Sequence, residues 1–387
     1  MNITSNVGTE RKRYLDAAKG WGITMVVFGH ITSLGNPVDQ WFGAYKLAIF
    51  YIVSGYLLGM RQSFRKMNTG QYVLKHFKSL MIPYFGYSAI VILYNILVGL
   101  MKGKDFEWIW QRFILQGYTT VSLRGISALW FLPSLFIAQI LFILIIRLPL
   151  VFKMISAVVP IVLCRYVSLY LLPVWEENMT ERMYKLVSFP TLAVSKGILA
   201  FWFVGAGYVA YFIFRKLQHR WLRFLIGVVM SAATIYFSQI NPGVDINTMK
   251  LGENYFLFYL DGIMGSLGAV FVLEFLEKWW KMSYLSFCGK NSMIIMATHG
   301  TLGFKRLVIE GWTALYTLSE TPGLRYYLEV TGILGELMLL ECGVITIINQ
   351  YFPWLAGRFP SKKSKEQSPD WRSVKNDMSR MKNKKDR

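Results

Sequence analysis

The sequence predicts an all-α, polytopic integral membrane protein with about ten transmembrane helices and both termini cytoplasmic. Composition is the first reason: of 387 residues, 54% are hydrophobic and 17% charged, an apolar content well above that of a soluble domain of this length. The second is ten apolar runs near 18–36, 43–60, 80–101, 127–146, 154–173, 193–214, 222–240, 254–274, 284–303 and 327–350. Each is long enough to cross a hydrocarbon core of about 30 Å as a helix of about 20 residues. The third is charge placement. With the N-terminus inside, the segments on that side hold Arg11, Lys12, Arg13 and Lys19, then Arg61, Arg65, Lys66, Lys75 and Lys78, and so on around the chain. Together with the tail from Arg358 they carry 29 of the 42 lysines and arginines, as the positive-inside rule requires.

The organisation that follows is a cytoplasmic leader, 1–16, a membrane domain, 17–357, and a basic tail, 358–387, expected to be disordered along with residues 1–10. The net charge of +20 sits in short loops and in that tail. It therefore reads as a topology signal and an attraction to anionic lipid headgroups, not as a nucleic-acid surface. Cys164, Cys288 and Cys342 stand at unrelated spacings with no Cys/His cluster, so neither disulfides nor a metal site are expected. The first apolar stretch is long and lacks a small-residue cleavage pattern, so no cleavable signal peptide is expected. No internal repeat is evident, which weakens an inverted-repeat transporter reading. With no soluble domain between the spans, any chemistry must lie among the helices or on short loops.

The first span holds the most informative residues. In "RYLDAAKGWGITMVVFGH", residues 13–30, Lys19 and His30 are eleven apart, which on a helix is about 20° in direction and about 16 Å in height. Asp16 precedes Lys19 by three, within reach of a helical side-chain pair. Ionisable groups inside a span are costly and are functional candidates by default. Asp16 and Lys19 also read as interfacial residues with a snorkelling lysine, whereas His30 is placed too deep to snorkel. A neutral imidazole suits a general base on a hydroxyl, and a lysine supplies fixed positive charge. A cation at the cytosolic mouth and a base further in describe a site for a long phosphorylated donor.

"LDAAKGWGITMVVFGH" resembles the first-helix signature of the acyltransferase-3 superfamily of membrane acyltransferases, in particular its fucose 4-O-acetylase-related branch. Relatives often carry an arginine where Lys19 stands. Four further stretches resemble the family in order: "FYIVSGYLLG" (50–59), "LKHFKSLMIPYF" (74–85), "LWFLPSLFIAQIL" (129–141) and "LSFCGKNSMIIMATHG" (285–300). One departure precedes Ser54, where members often have His-Met-Pro-Leu and this chain has Lys46, Leu47, Ala48 and Ile49.

Physically, Ser54, Gly55 and Gly59 give their helix a small-residue packing face. Pro83 and Pro133 are expected near helix starts. Trp130 reads as an interface anchor or a cavity wall. Asn291 and Ser292 read as helix–helix hydrogen-bond donors or as oxyanion donors, and His299 as a substrate contact or a structural histidine. His76 and His219 are expected at the surface, in basic inner loops. Arg112 and Arg124 flank an outer loop, while Arg165, Glu253, Asp261 and Glu336 or Glu341 are candidates for cavity lining.

The resemblance implies an O-acetyltransferase of a bacterial inner membrane that moves acetyl from cytosolic acetyl-CoA, a co-substrate and not a resident cofactor, to a hydroxyl of a cell-surface or lipid-linked glycan. The residues assigned to that chemistry are His30, Lys19 and Asp16 as catalytic, Lys19, Arg13, Lys75 and Lys78 for the donor, and His299, Asn291, Ser292, Arg112 and Trp130 for the acceptor. Partners are acetyl-CoA, the glycan and membrane lipids, with no nucleic acid. The rival expectation is a transporter or flippase for a glycan or lipid-linked intermediate.

Overall fold

The computed structural model describes residues 11–32 and 36–359. The expected disordered ends at 1–10 and 361–387, and Ser33 to Gly35 of the first predicted span, lie outside the described residues. Within them the protein is helical apart from one two-residue antiparallel pairing, Val244–Asp245 with Lys250–Leu251.

Eight helices among the described residues are long and apolar enough to cross a membrane: Pro37–Arg61, Thr69–Met101, Ser127–Ile145, Leu150–Asn178, Glu181–Phe214, Arg220–Ile240, Tyr255–Leu276 and Leu324–Tyr351. The other two expected spans are helical but fall outside that set for separate reasons. The first, Arg13–Ile31, is lowered in hydropathy by the ionisable residues that make it interesting. It lies inside the bundle, buried along most of its length from Tyr14 to Phe28, so protein and not lipid surrounds it. The 284–303 run is broken into Ser283–Lys290 and Ser292–Thr298. At the break Asn291 leaves helical geometry (φ −115°, ψ 14°) and its side-chain amide donates to the Phe287 carbonyl at 2.9 Å, a local competition with the backbone ladder typical of asparagine.

The eight long helices divide into core and rim. In the most apolar stretch of Pro37–Arg61, 67% of residues are buried by protein, against 22% in Leu150–Asn178 and 17% in Arg220–Ile240. These last two present leucines, valines and isoleucines outward, as a lipid-facing helix must. Two shorter helices, Phe106–Val121 and Phe304–Leu315, lie between spans.

Thr69–Met101 starts well before the predicted 80–101 run. Its added turns are amphipathic and open with a reciprocal cap between Asn68 and Gln71, which satisfies two end donors. His76 therefore stands in a helix and not in a surface loop, with its ring 4.3 Å from that of buried Tyr72. Pro83 is likewise not at a helix start but inside this continuous helix. The five residues Phe77–Met81 just before it widen to a π turn, with Ile82 N–H donating to the Phe77 carbonyl. Val167–Leu171 does the same before Pro173, with Leu172 N–H donating to Val167. A proline ring collides with the carbonyl four residues back and offers no N–H, and one π turn resolves both problems without ending the helix.

Two backbone contacts set the packing. A Cβ built on Gly20 would overlap the Leu285 carbonyl oxygen, and one on Gly289 would overlap the Asp16 carbonyl oxygen, so the first helix and Ser283–Lys290 touch main chain to main chain. Gly55 and Gly207 do the same between Pro37–Arg61 and Glu181–Phe214, against Val204 and Ile52 respectively, which is the small-residue face expected from Gly55. Such approaches gain dispersion contact where lipid removes the hydrophobic driving force between helices. Gly207→Leu is therefore expected to cost about 3 kcal/mol. Gly205→Leu, where an added Cβ meets nothing within 4 Å, should leave the melting midpoint of the purified protein in detergent near that of the parent.

Candidate active site

The first helix carries two polar clusters, one at each end. At its start Asp16, 4% exposed, is gripped from both sides. Arg11 donates to it from Nε at 2.5 Å and from Nη2 at 3.2 Å, and Lys19 Nζ lies 3.0 Å from Oδ1. Two cations on one carboxylate leave a net positive charge. Arg13 is exposed beside them, its carbonyl accepting from Ser286 Oγ at 3.2 Å.

At the other end His30, in the last turn, is exposed, so it is not placed deep in the bundle. Its ring centroid lies 5.0 Å from that of His299 at a 48° tilt. His299 is fully buried. Its Nδ1 is 2.7 Å from the Ile295 carbonyl, and because a carbonyl only accepts, Nδ1 carries the proton. That leaves a lone pair on Nε2, which has no partner among the described residues. A buried, oriented imidazole with a free acceptor nitrogen beside an exposed one is an arrangement for receiving and passing protons.

Two cations, Lys305 and Lys46, flank the pair. Lys305 Nζ donates to the His30 carbonyl at 3.2 Å. Lys46, the residue where the chain departs from the family pattern, pairs with Asp39 at 3.1 Å and packs into the space left by Gly29. Another lysine, Lys196, lies inside Glu181–Phe214 with no exposed surface. Its Nζ sits 4.5 Å from the centre of the Trp130 ring and donates to the Arg124 carbonyl at 3.4 Å and to Asn247 Oδ1 at 3.3 Å. Arg124 also donates to Asn247 Oδ1. The turn Ser127–Trp130 packs against Ser292–Thr298, just before His299, which brings Trp130 to the histidine end.

The remaining expected residues are dispersed. Asn291 is tied to Asn349 and Arg358, each at 3.0 Å, and Ser292 is half-buried with no side-chain hydrogen bond among the described residues. Lys75 and Lys78 are exposed on the amphipathic turns of Thr69–Met101. Arg112 is exposed, 5.7 Å from the Trp108 ring. Of the acids expected to line cavities, Glu253 and Glu336 are exposed, while Asp261 and Glu341 are buried. Glu341 accepts from Thr298 Oγ1 at 2.6 Å, directly beside His299. Lys196, Lys305 and the Lys46–Asp39 pair were not singled out from sequence. For Lys196 the signal was present, since a lysine within "TLAVSKGILAF" is as costly in a span as Lys19.

Residues 12–346 match a family model described as an acyltransferase domain. No curated protein and no solved structure gives a match.

Asp16→Asn removes the anion between Arg11 and Lys19 and leaves a lysine with 23% side-chain exposure uncompensated. A loss of about 3 kcal/mol is expected. A double-mutant cycle with Lys19→Met, read by thermal melting, should show the two losses to be less than additive, because the second change removes the charge the first stranded.

Proposed function

The chain belongs to the acyltransferase-3 superfamily, and on that premise we propose that this membrane acyltransferase moves an acetyl group from cytosolic acetyl-CoA to a hydroxyl of a cell-surface or lipid-linked glycan, in a bacterial inner membrane. The observation that carries the reading is one helix with a cationic cluster at Arg11, Asp16 and Lys19 near its start and, about 16 Å further along, His30 beside His299. A donor with phosphates at one end and a thioester at the other fits that spacing. The phosphates meet Lys19 and Arg11, with Arg13, Lys75 and Lys78 supplying positive charge on the same side, and the thioester reaches the histidines.

His30 takes the proton from the acceptor hydroxyl as its oxygen bonds to the thioester carbonyl carbon. The carbonyl oxygen becomes an oxyanion, which the positive charges of Lys305 and Lys46 favour. The carbon–sulfur bond then breaks, and the proton on His30 passes to the departing thiolate. Buried His299 packs its ring 5.0 Å from that of His30 and so limits how the His30 ring can turn. Trp130, assigned to the acceptor from sequence, is buried with Lys196 over its ring, and so it positions that lysine instead of stacking on a sugar.

With purified protein, labelled acetyl-CoA and glycan acceptors, His30→Ala should lower acetyl transfer by about 10²- to 10⁴-fold. Lys19→Ala should chiefly raise the KM for acetyl-CoA, and His299→Gln should lower kcat with donor KM unchanged. Undiminished transfer by His30→Ala at matched expression overturns the mechanism, and glycan movement without acetylation overturns the enzyme reading.

A further inference from the structure

Away from the first helix, at the end of the bundle where Pro37–Arg61 finishes, two cavities of about 590 Å³ each adjoin through shared Ile146, Lys153 and Tyr208. Their linings are opposite in character. One is walled by Arg65, Arg147 and Lys153 with Phe64 and Tyr208, three cations and no acid. The other is a groove whose lining includes Phe142, Leu150, Trp202, Ala206, Val209 and Ile213, almost wholly apolar.

The cationic wall is built and not incidental. The rings of Phe64, Phe142 and Tyr208 pack together, with centroids 5.2 to 6.2 Å apart, and fix the turn Ser63–Lys66 that carries Arg65. Arg147 is anchored by donating to Thr69 Oγ1 at 2.6 Å and to the Met67 carbonyl. Arg65 and Lys153 have no side-chain partner among the described residues, so their charge is available. The groove is open sideways: Leu150, Val209 and Ile213 on its rim are more than half exposed, so in a bilayer it faces hydrocarbon.

We infer that this is a binding site for an anionic phospholipid of the bilayer, with its phosphate on Arg65, Arg147 and Lys153 and an acyl chain in the groove between Leu150–Asn178 and Glu181–Phe214. Cations that converge at one depth beside an apolar groove match a lipid in both halves, and the volumes are those of a ligand site. The lateral opening favours a lipid over a soluble acyl thioester, because a lipid enters without leaving its leaflet. The site is separate from the histidine pair and does not depend on the acetyl-transfer reading.

The test is thermal melting of the full chain in detergent with dioleoyl phosphatidylglycerol, dioleoyl phosphatidylcholine or glycerol 3-phosphate added. A ligand bound only by the folded state raises the midpoint. The phosphatidylglycerol rise should exceed that with phosphatidylcholine by about 3 °C or more, and glycerol 3-phosphate should give none. Arg65→Ala combined with Lys153→Ala should abolish the preference for the anionic lipid. Gly205→Phe fills the groove from a position with open space around it and should abolish the response to both lipids. Equal rises with the two lipids, a preference that survives the double substitution, an undiminished response in Gly205→Phe, or a full rise with glycerol 3-phosphate alone each overturn the proposal.

Discussion

The main-chain contact between the first helix and Ser283–Lys290 is the constraint on which the site depends. It exists because Gly20 and Gly289 leave no side chain between the two backbones. That closeness fixes both ends of the first helix at once. At one end it seats Asp16 against Gly289 with Arg11 and Lys19 around it. At the other it carries the helix that follows Asn291 alongside, so that His299 arrives opposite His30. A larger residue at either glycine would separate the two helices of this pair and widen the distance between the imidazoles.

The ionisable groups on the first helix follow from its place in the bundle. A helix ringed by protein does not have to solve the problem of charge in hydrocarbon, since partners stand close by: Asp16 has two cations and the His30 carbonyl has Lys305. Stability and chemistry are therefore coupled in this segment. The rim helices are the reverse case, apolar on the outside and structurally tolerant, and it is there that the groove beside Leu150–Asn178 opens.

Much of this was legible in the sequence. Eight of the ten expected spans were readable because length and hydropathy are local properties, and the Asp16–Lys19 pair because three residues on a helix are neighbours whatever surrounds them. The meeting of His30 with His299 was not, since they stand 269 positions apart in the chain and it takes the packing of the first helix against 283–298 to bring them together. Asn291 was readable as a hydrogen-bonding residue, but its partners Asn349 and Arg358 lie on other elements. Lys196 was visible as a lysine in an apolar run, yet its partner Trp130 and the loop that supplies Asn247 required the fold. The helix extensions at 69–79 and 181–192 were hidden because amphipathic turns do not register as apolar runs.

The π turn before Pro83 has a consequence for the surface of its helix. A π turn holds one residue more than the α-helical path needs, so everything after it is rotated by about 100°. With that rotation Tyr84, Tyr87 and Val91 face the interior, almost fully buried, while Phe85 and Ile90 face outward. Without it the phase would slip by one residue. Pro83 would then take the inward position of Tyr84, and the hydroxyl that now donates to the Thr120 carbonyl at 2.8 Å would be turned away from its acceptor. A proline that looks like a flaw in the helix is in this way what sets the angular register of the twenty residues that follow the π turn.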